Sequence, residues 1–541
     1  MIRWLFIFFI TLSLASCNII EKYSNVSYNN FYNKYEPSLN ARYLAANYSI
    51  KKGDVYTASE ILDKKFENQK LLEIKFFSNL ASGKFRKAEK VSVKLRKSDP
   101  NNNLYKLPKY ILKLKNNDYK DSLEIFRAKT FFNLNHLNYL IKLWIDQDND
   151  KTKELSEKYI VSASVHELLI LENFYYSKKL IKIADQIYEN DSLNSHDVLL
   201  LAGFYYRVKN FKKLNKIIQT KLSDQFDKLF IIKNFSNDNN SFNKIQNLDS
   251  ILSSKIFNMI KDNNLDLYKS HSYQKIMLEF SIFLNPKMDI SRYLLAEIYN
   301  IEKTNKNSIK NLNSIPKDSF FFLAANLKKL SIIKTLEVNS EHETLLFKIA
   351  DLWPKNKFVL YRLANYYKSK KQYYKSIKIY KNIVENYKGN DHDLFLYASN
   401  LDKIGKWNEA KVLFFKLLKK NPQDTYTLNY VSYKLALKEQ QLELALELIK
   451  KALVLDPKNG YFLDTLGWVE FKRKNYKSAV YFLEQSVSIL PKSAEVINHL
   501  GDCYLMLNRK KEAVFEWNKA IKHETDKALI KKISDKINKH E

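Results

Sequence analysis

The stretch from Pro457 to Ala513, PKNGYFLDTLGWVEFKRKNYKSAVYFLEQSVSILPKSAEVINHLGDCYLMLNRKKEA, repeats itself. Pro457 and Pro491, Gly467 and Gly501, and Ala479 and Ala513 each recur 34 positions apart. A beat of this length is the mark of a helix-pair array: one pair cannot bury its apolar face alone, so neighbours must stack into a continuous core.

The same columns continue upstream. Small residues Ala364, Ala398 and Ser432 are followed by Ser376, Ala410 and Ala445, and the units close toward Lys388, Pro422 and Pro457. A small residue is required where two helices cross closely, and proline stops the second helix by removing a donor and clashing with the preceding turn. One turn beyond the second crossing residue stand Tyr380, Phe414, Ile449, Leu483 and Trp517, and a further turn on stand Ile383, Leu417, Ala452, Ser486 and Ala520. Each second helix therefore carries one packing stripe.

This column pattern resembles the tetratricopeptide repeat (TPR) from about Phe358 to Thr525. The resemblance implies an all-α fold, an α-solenoid of stacked TPR helix hairpins, here expected in two superhelical sections. The sequence departs from the pattern at Glu470, where the motif prefers a large residue, at Lys388 and Thr525 in place of proline, and by one residue inserted between Ser432 and Ala445. The last three units are also similar to a group of envelope repeat lipoproteins of Gram-negative-type bacteria, through Leu428-Asn429-Tyr430, Asp464-Thr465-Leu466-Gly467-Trp468 and His499-Leu500-Gly501-Asp502.

The N-terminus points to the same compartment. Residues 1–16 carry Arg3 and then a short apolar run, too short and too poorly flanked for a spanning helix, which reads as a signal peptide. The run ends in Leu14, Ala15, Ser16 and Cys17, which resembles the bacterial lipobox, with Cys17 as the lipidated residue. Acyl chains would anchor the chain without a transmembrane helix. Asn18 instead of Asp after the cysteine implies, by that resemblance, the outer membrane facing the periplasm.

Organisation follows from these signals. Residues 17–36 are the acylated cysteine and a flexible tether, 37–233 a degenerate TPR-like helical section, and 234–250 an Asn- and Asp-rich loop or hinge. Residues 251–357 are expected as degenerate helical repeats, 358–524 as the well-defined array, and 525–541 as an amphipathic capping helix. With 8 Gly and 9 Pro in 541 residues, a turn-rich β fold lacks its punctuation.

The formal net charge of +31 would ordinarily suggest nucleic acid, but a periplasmic location argues against that partner. Lys, Asn, Ile, Tyr and Phe are abundant together, as nucleotide bias alone would produce, and a basic surface facing an anionic envelope polymer is the other reading. With Cys17 acylated, Cys503 stands alone, so no intrachain disulfide forms, and its position in a first helix suits a small buried residue. No His-Glu-x-x-His, Cys-x-x-Cys, Gly-x-Ser-x-Gly or phosphate-cradling glycine loop occurs, so no metal, cofactor or catalytic residue is expected, and the chain reads as a non-enzyme.

Function is sought on the inner wall, lined in this repeat family by first helices. The register places Tyr361, Asn365, Phe395, Asn429, Tyr433, Asp464, Trp468, Asn498 and Asp502 on it as candidate partner-binding residues. Aromatic rings supply buried area there, and amides pair with an extended backbone. Trp468 either anchors a partner or wedges against the neighbouring first helix. Tyr361 occupies the place of the lysine in the carboxylate-clamp form of the repeat, so that clamp is absent. The expected function is a membrane-anchored periplasmic scaffold for protein–protein interactions in envelope assembly, cell-wall synthesis or export. The alternatives are an anchored adaptor for peptidoglycan, polysaccharide or an anionic lipid surface and, after it, an enzyme with an unrecognised site between Leu104 and Ser340.

Overall fold

The computed structural model describes residues 38–64, 67–126, 134–149, 163–175, 178–189, 193, 195–221, 247–262, 271–319, 321–387 and 389–540. The signal peptide, the lipobox with Cys17, the tether and nearly all of the 234–250 segment lie outside them. Among the described residues there are 28 helices and no strand, and none of the helices is long and apolar enough to cross a membrane. The chain divides into two compact units, Met1–Asn339 and Ser340–Glu541.

In the first unit, α1 (Leu39–Lys51) pairs with α2 (Val55–Ile61), α3 (Gln69–Ala81) with α4 (Phe85–Ser98), and α5 (Leu107–Lys115) with α6 (Tyr119–Ile125). Then come α7 (Asn135–Asn149), the pair α8 (Val165–Phe174) and α9 (Lys178–Glu189), and the pair α10 (Ser195–Arg207) and α11 (Phe211–Thr220). The unit continues with α12 (Leu248–Asp262), α13 (Ser272–Leu284), α14 (Asp289–Ile301), α15 (Asn305–Asn313) and α16 (Phe322–Thr335). Helices on either side of the 234–250 segment share one core, in which Phe76, Phe85 and Tyr110 from early hairpins lie with Ile256 and Phe280. The break between compact units falls later, at Asn339, because α12 and α13 bury their apolar residues against α3, α5, α7 and α8.

The second unit opens with α17 (Asn339–Leu352) at the boundary and stacks five hairpins: α18 (Lys357–Ser369) with α19 (Tyr373–Asn386), α20 (Asp391–Lys403) with α21 (Trp407–Lys420), and α22 (Thr425–Leu437) with α23 (Leu442–Leu455). Next are α24 (Gly460–Lys472) with α25 (Tyr476–Ile489) and α26 (Ala494–Met506) with α27 (Lys510–His523), and α28 (Lys527–His540) packs on α27.

The small-residue columns sit at the helix crossings. Ala364, Ser376, Ala398, Ala410, Ser432, Ala445, Ala479 and Ala513 are all fully buried. The crossings leave no room for more: a Cβ on Gly467 would lie 2.6 Å from Leu483 Cγ, and one on Gly501 would lie 2.6 Å from the Trp517 indole. Where serine replaces alanine its hydroxyl bonds the facing carbonyl, Ser376 to Ala364 at 3.0 Å and Ser432 to Ala445 at 2.7 Å, so a buried polar group is satisfied without widening the crossing.

Two further columns are visible only in the folded chain. Asn356, Asn390, Asp424 and Asn459 cap the first helices by accepting from backbone N–H groups of the first turn, satisfying donors the helix itself cannot. In the turns between paired helices, Lys303, Lys371, Gly405, Glu439, Lys474 and Asn508 all have positive φ. This left-handed residue lets the next N–H reach back over the helix end, as Asn475 N does to Glu470 O at 2.9 Å. Glycine fills the place in Gly405 alone of these six, which is how the array folds with so few glycines.

The departures from the repeat pattern have local accommodations. Glu470 is buried but accepts from Arg473 Nη1 at 2.9 Å and Asn475 Nδ2 at 2.7 Å. The inserted residue is absorbed in the α22–α23 turn, where Glu439 and Gln441 both have positive φ. Cys503 is fully buried, and burial pushes its thiol well above the usual range, so it is not a ready thiolate.

Candidate functional site

First helices of the second unit touch one another as well as their partners: α22 packs on α24, and α24 on α26. Their facing side chains converge on Trp468. Its indole stacks on Phe471 of the same helix at 4.7 Å, with rings 5° from parallel, and on His499 of α26 at 4.1 Å and 21°. Lys472 Nζ lies 5.3 Å from the indole centroid, in reach of a cation–π attraction.

Around this stack the polar groups pair across helices. Asp464 Oδ1 lies 2.9 Å from His499 Nδ1, with both residues buried. Tyr433 on α22 donates to Glu495 Oε1 at 2.6 Å on α26, passing over the intervening hairpin. Burial alone would favour neutral His499, but the charges of Asp464, Glu495 and Asp502 outweigh it and raise its pKa above the ordinary histidine value. Burial, reinforced by Glu495, holds the Tyr433 hydroxyl protonated far above the usual phenol range.

Two buried polar atoms on this wall have no hydrogen-bond partner: the indole Nε1 of Trp468 and the side-chain Oδ1 of Asn429. One is a donor only and the other an acceptor, and each buried polar atom left unpaired costs about 1–3 kcal/mol of the unit's stability.

The nine residues singled out from sequence divide into three groups. Tyr433, Asp464 and Trp468 come together in this cluster, and Asn429 lies one turn before Tyr433 on α22. Tyr361, Asn365 and Phe395 belong to hairpin packing nearer the start of the array. Tyr361 lies edge-on to Tyr380 at 5.9 Å, Asn365 accepts from the Tyr380 hydroxyl at 2.9 Å, and Phe395 packs between Phe414 and Tyr430, both at 5.5 Å. Asn498 and Asp502 hold the terminal helix: Lys536 of α28 donates to Asn498 at 2.9 Å and to Asp502 at 2.6 Å, and Trp517 Nε1 donates to Asp502 at 3.0 Å.

His499 lies off the stripe that register places on the inner wall, which on this helix holds Asn498 and Asp502. It stands one turn after Glu495, and its place beside Trp468 depends on how α24 and α26 approach each other, a contact between hairpins that the register of one helix does not contain. Among the described residues no group of three or more His, Cys, Asp and Glu side chains is placed to hold a metal ion.

The chain is 30% identical over 128 residues to a TPR repeat-containing protein of Methanocaldococcus jannaschii, covering 23% of this chain and 22% of that protein. It is 31% identical over 86 residues to a TPR repeat-containing protein of Pseudomonas aeruginosa, covering 16% of this chain and 14% of that one. The array belongs to the tetratricopeptide repeat family. A mitochondrial import receptor subunit of Mus musculus, TOM70, is 26% identical over 146 residues, or 27% of this chain and 24% of that protein. The TPR chain thus matches less than a quarter of the length of each of these relatives. No family model matches it. Among solved structures, yeast Tom70 aligns over 92% of this chain and 95% of its own at 12% identity, with a TM-score of 0.34. A tetratricopeptide repeat protein from Parabacteroides merdae aligns over 45% of this chain and 96% of its own at 14% identity, with a TM-score of 0.40.

Proposed function

We propose that the second unit binds an extended segment of a protein partner along the wall formed by α22, α24 and α26, and that the chain is a scaffold that positions partners without turnover. The observation that carries this reading is the meeting of first helices α22, α24 and α26 around Trp468, where Tyr433, Phe471 and His499 gather. Aromatic rings of this kind supply apolar contact area to an extended segment.

The same proposal sets the scaffold in the cell envelope. Cys17 would carry the lipid, the outer membrane would hold it, and the folded units would face the periplasm, serving envelope assembly, cell-wall synthesis or export. The lipobox-like Leu14-Ala15-Ser16-Cys17 supports this reading. Fractionation of cells expressing the full chain beside Cys17→Ser tests it: the wild type is expected with the outer membrane and the variant in the soluble fraction, and equal distribution would remove the anchor.

For the groove, purified full-length chain is panned against a random peptide library. Enrichment that disappears with Trp468→Ala or Asn429→Ala, in variants that keep their helical circular dichroism, supports the scaffold. The charge of +31 favours a second reading, an adaptor for peptidoglycan, polysaccharide or anionic lipid. Salt-sensitive retention on isolated polymer, with no peptide enrichment, would select it.

A further inference from the structure

The second helices of the five hairpins in the second unit differ in charge from the first helices they pair with. Helices α19, α21, α23, α25 and α27 carry fourteen lysines against seven glutamates, whereas α18, α20, α22, α24 and α26 carry six basic residues against seven acidic ones. A compositional bias toward lysine would load both sets alike, so the excess belongs to one face of the array.

Internal pairing does not use up that excess. Each of the seven glutamates lies within 4.0 Å of a basic side chain, as Glu447 does with Lys451 at 2.6 Å and Glu512 with Arg509 at 3.1 Å. By contrast Lys416, Lys419, Lys450, Lys477, Lys511 and Lys522 are exposed and make no ion pair among the described residues.

The same helices expose apolar side chains. Val412 on α21, Tyr481 on α25 and Phe515 on α27 are 68%, 62% and 67% exposed. Each stands two residues after the fully buried crossing residue of its helix, Ala410, Ala479 and Ala513, which turns it about 200° away from the hairpin contact. Val454 on α23 is 79% exposed. All four have a lysine four residues away on the same helix: Lys416, Lys477, Lys511 and Lys450. That spacing puts the ammonium group and the apolar side chain on one face. Tyr426 and Tyr461, exposed on first helices, have no lysine one turn away within their helices.

Apolar side chains standing beside unpaired lysines match the boundary of an anionic bilayer, where rings and methyl groups leave water and ammonium groups meet phosphates. A soluble acidic polymer would engage the lysines but leave the apolar side chains in water. We propose that the outer face of the second unit, formed by its second helices, docks on an anionic lipid bilayer, with Val412, Tyr481 and Phe515 entering the headgroup boundary. The first helices stay free, so the wall around Trp468 can hold its ligand while the outer face lies on the membrane. The docking does not depend on what that wall binds, and it gives the anionic-lipid part of the second reading one definite face.

The test uses the full-length chain with Cys17→Ser, so that no acyl chain contributes. One environment-sensitive dye is attached through Phe515→Cys on the outer face, or through Tyr461→Cys on first helix α24; Cys503 is buried and does not take it. With vesicles of equal parts phosphatidylcholine and phosphatidylglycerol, the dye at 515 is expected to shift its emission to the blue and the dye at 461 to stay unchanged. Phosphatidylcholine alone is expected to shift neither. Combining Lys416→Gln, Lys419→Gln, Lys477→Gln and Lys511→Gln, in a chain that keeps its helical circular dichroism, is expected to weaken the vesicle affinity read at 515 at least tenfold. A shift at both positions, no shift at 515, an equal shift with neutral vesicles, or an unchanged affinity in the lysine variant overturns the proposal. Retention on an acidic polysaccharide with no shift at 515 also overturns it and assigns the lysines to a soluble polymer.

Discussion

Tyr433 donates a 2.6 Å hydrogen bond to Glu495, which lies 62 residues further along the chain. The bond ties first helices α22 and α26 together across α24, and it borders the stack of Trp468 on His499. Because Glu495 is exposed while Tyr433 is half-buried, removing the hydroxyl leaves the carboxylate free to solvate. Tyr433→Phe is therefore expected to cost only about 0.5–1 kcal/mol in the unfolding of the second unit. Its larger effect is expected in the hydrogen exchange of α26, which should rise near residue 495. A loss of several kcal/mol would mean that the bond is part of the unit's core.

His499 gives the second unit a pH dependence with a definite sign. Its folded pKa is raised above the ordinary value, because Asp464 and the neighbouring carboxylates outweigh burial. The stabilisation from the charged pair is then full below the unfolded histidine pKa of about 6.5 and is lost as pH rises through the folded pKa. Denaturant unfolding of the wild type between pH 6 and pH 9 is expected to show this decline, and His499→Gln to flatten it. A variant with the same slope as the wild type would assign the dependence to another group.

How much of this was legible beforehand depended on what the geometry forces. Small residues at a helix crossing are obligatory, so Gly467, Ala479, Gly501 and Ala513 announced the second unit's hairpins at one fixed spacing. The first unit is less legible because the partners of α13 are set by contacts between segments hundreds of residues apart. The same division holds at the site. Asn429, Tyr433, Asp464 and Trp468 share one stripe of their helices and could be read from register. The engagement of Asp502 by Lys536 depends on how the terminal helix folds back, which register does not contain. The left-handed turn column escaped notice because lysine, glutamate and asparagine fill it where glycine would have marked it.

That column is open to a direct stability test. Lys474 has a φ of 66° and Lys371 of 58°, a conformation that costs an L-residue with a Cβ roughly 1–2 kcal/mol. Glycine adopts it freely but loses more entropy on folding, which offsets part of the gain. Lys474→Gly and Lys371→Gly are each expected to stabilise the second unit by about 0.5–1 kcal/mol in denaturant unfolding. Gly405→Ala, at a φ of 82° with nothing within 4 Å of the added Cβ, is expected to destabilise by a similar amount through the backbone alone. Destabilisation by both lysine replacements would show that their side chains contribute more than the strain they carry.

In the first unit the buried carboxyl of Glu279 sets a dependence of the opposite origin. Burial raises its pKa to about 7, against the lowering influence of the Tyr56 hydroxyl and of Arg292 and Lys310. The unfolded chain ionises this group near the ordinary glutamate value, about 4.3. Between those values the folded state holds the extra proton, so folding becomes less favourable as pH rises through the interval and levels off above it. Glu279→Gln keeps an acceptor for Tyr56 and removes the charge. At pH 8 it is expected to stabilise the first unit by up to roughly 3 kcal/mol, and at pH 4 to change it little. Unfolding of wild type and variant at both pH values, followed by hydrogen exchange of α3 and α13 amides, gives the comparison. Equal stability at pH 8 would mean that the carboxylate is solvated when ionised and that the seating of α13 is insensitive to its charge.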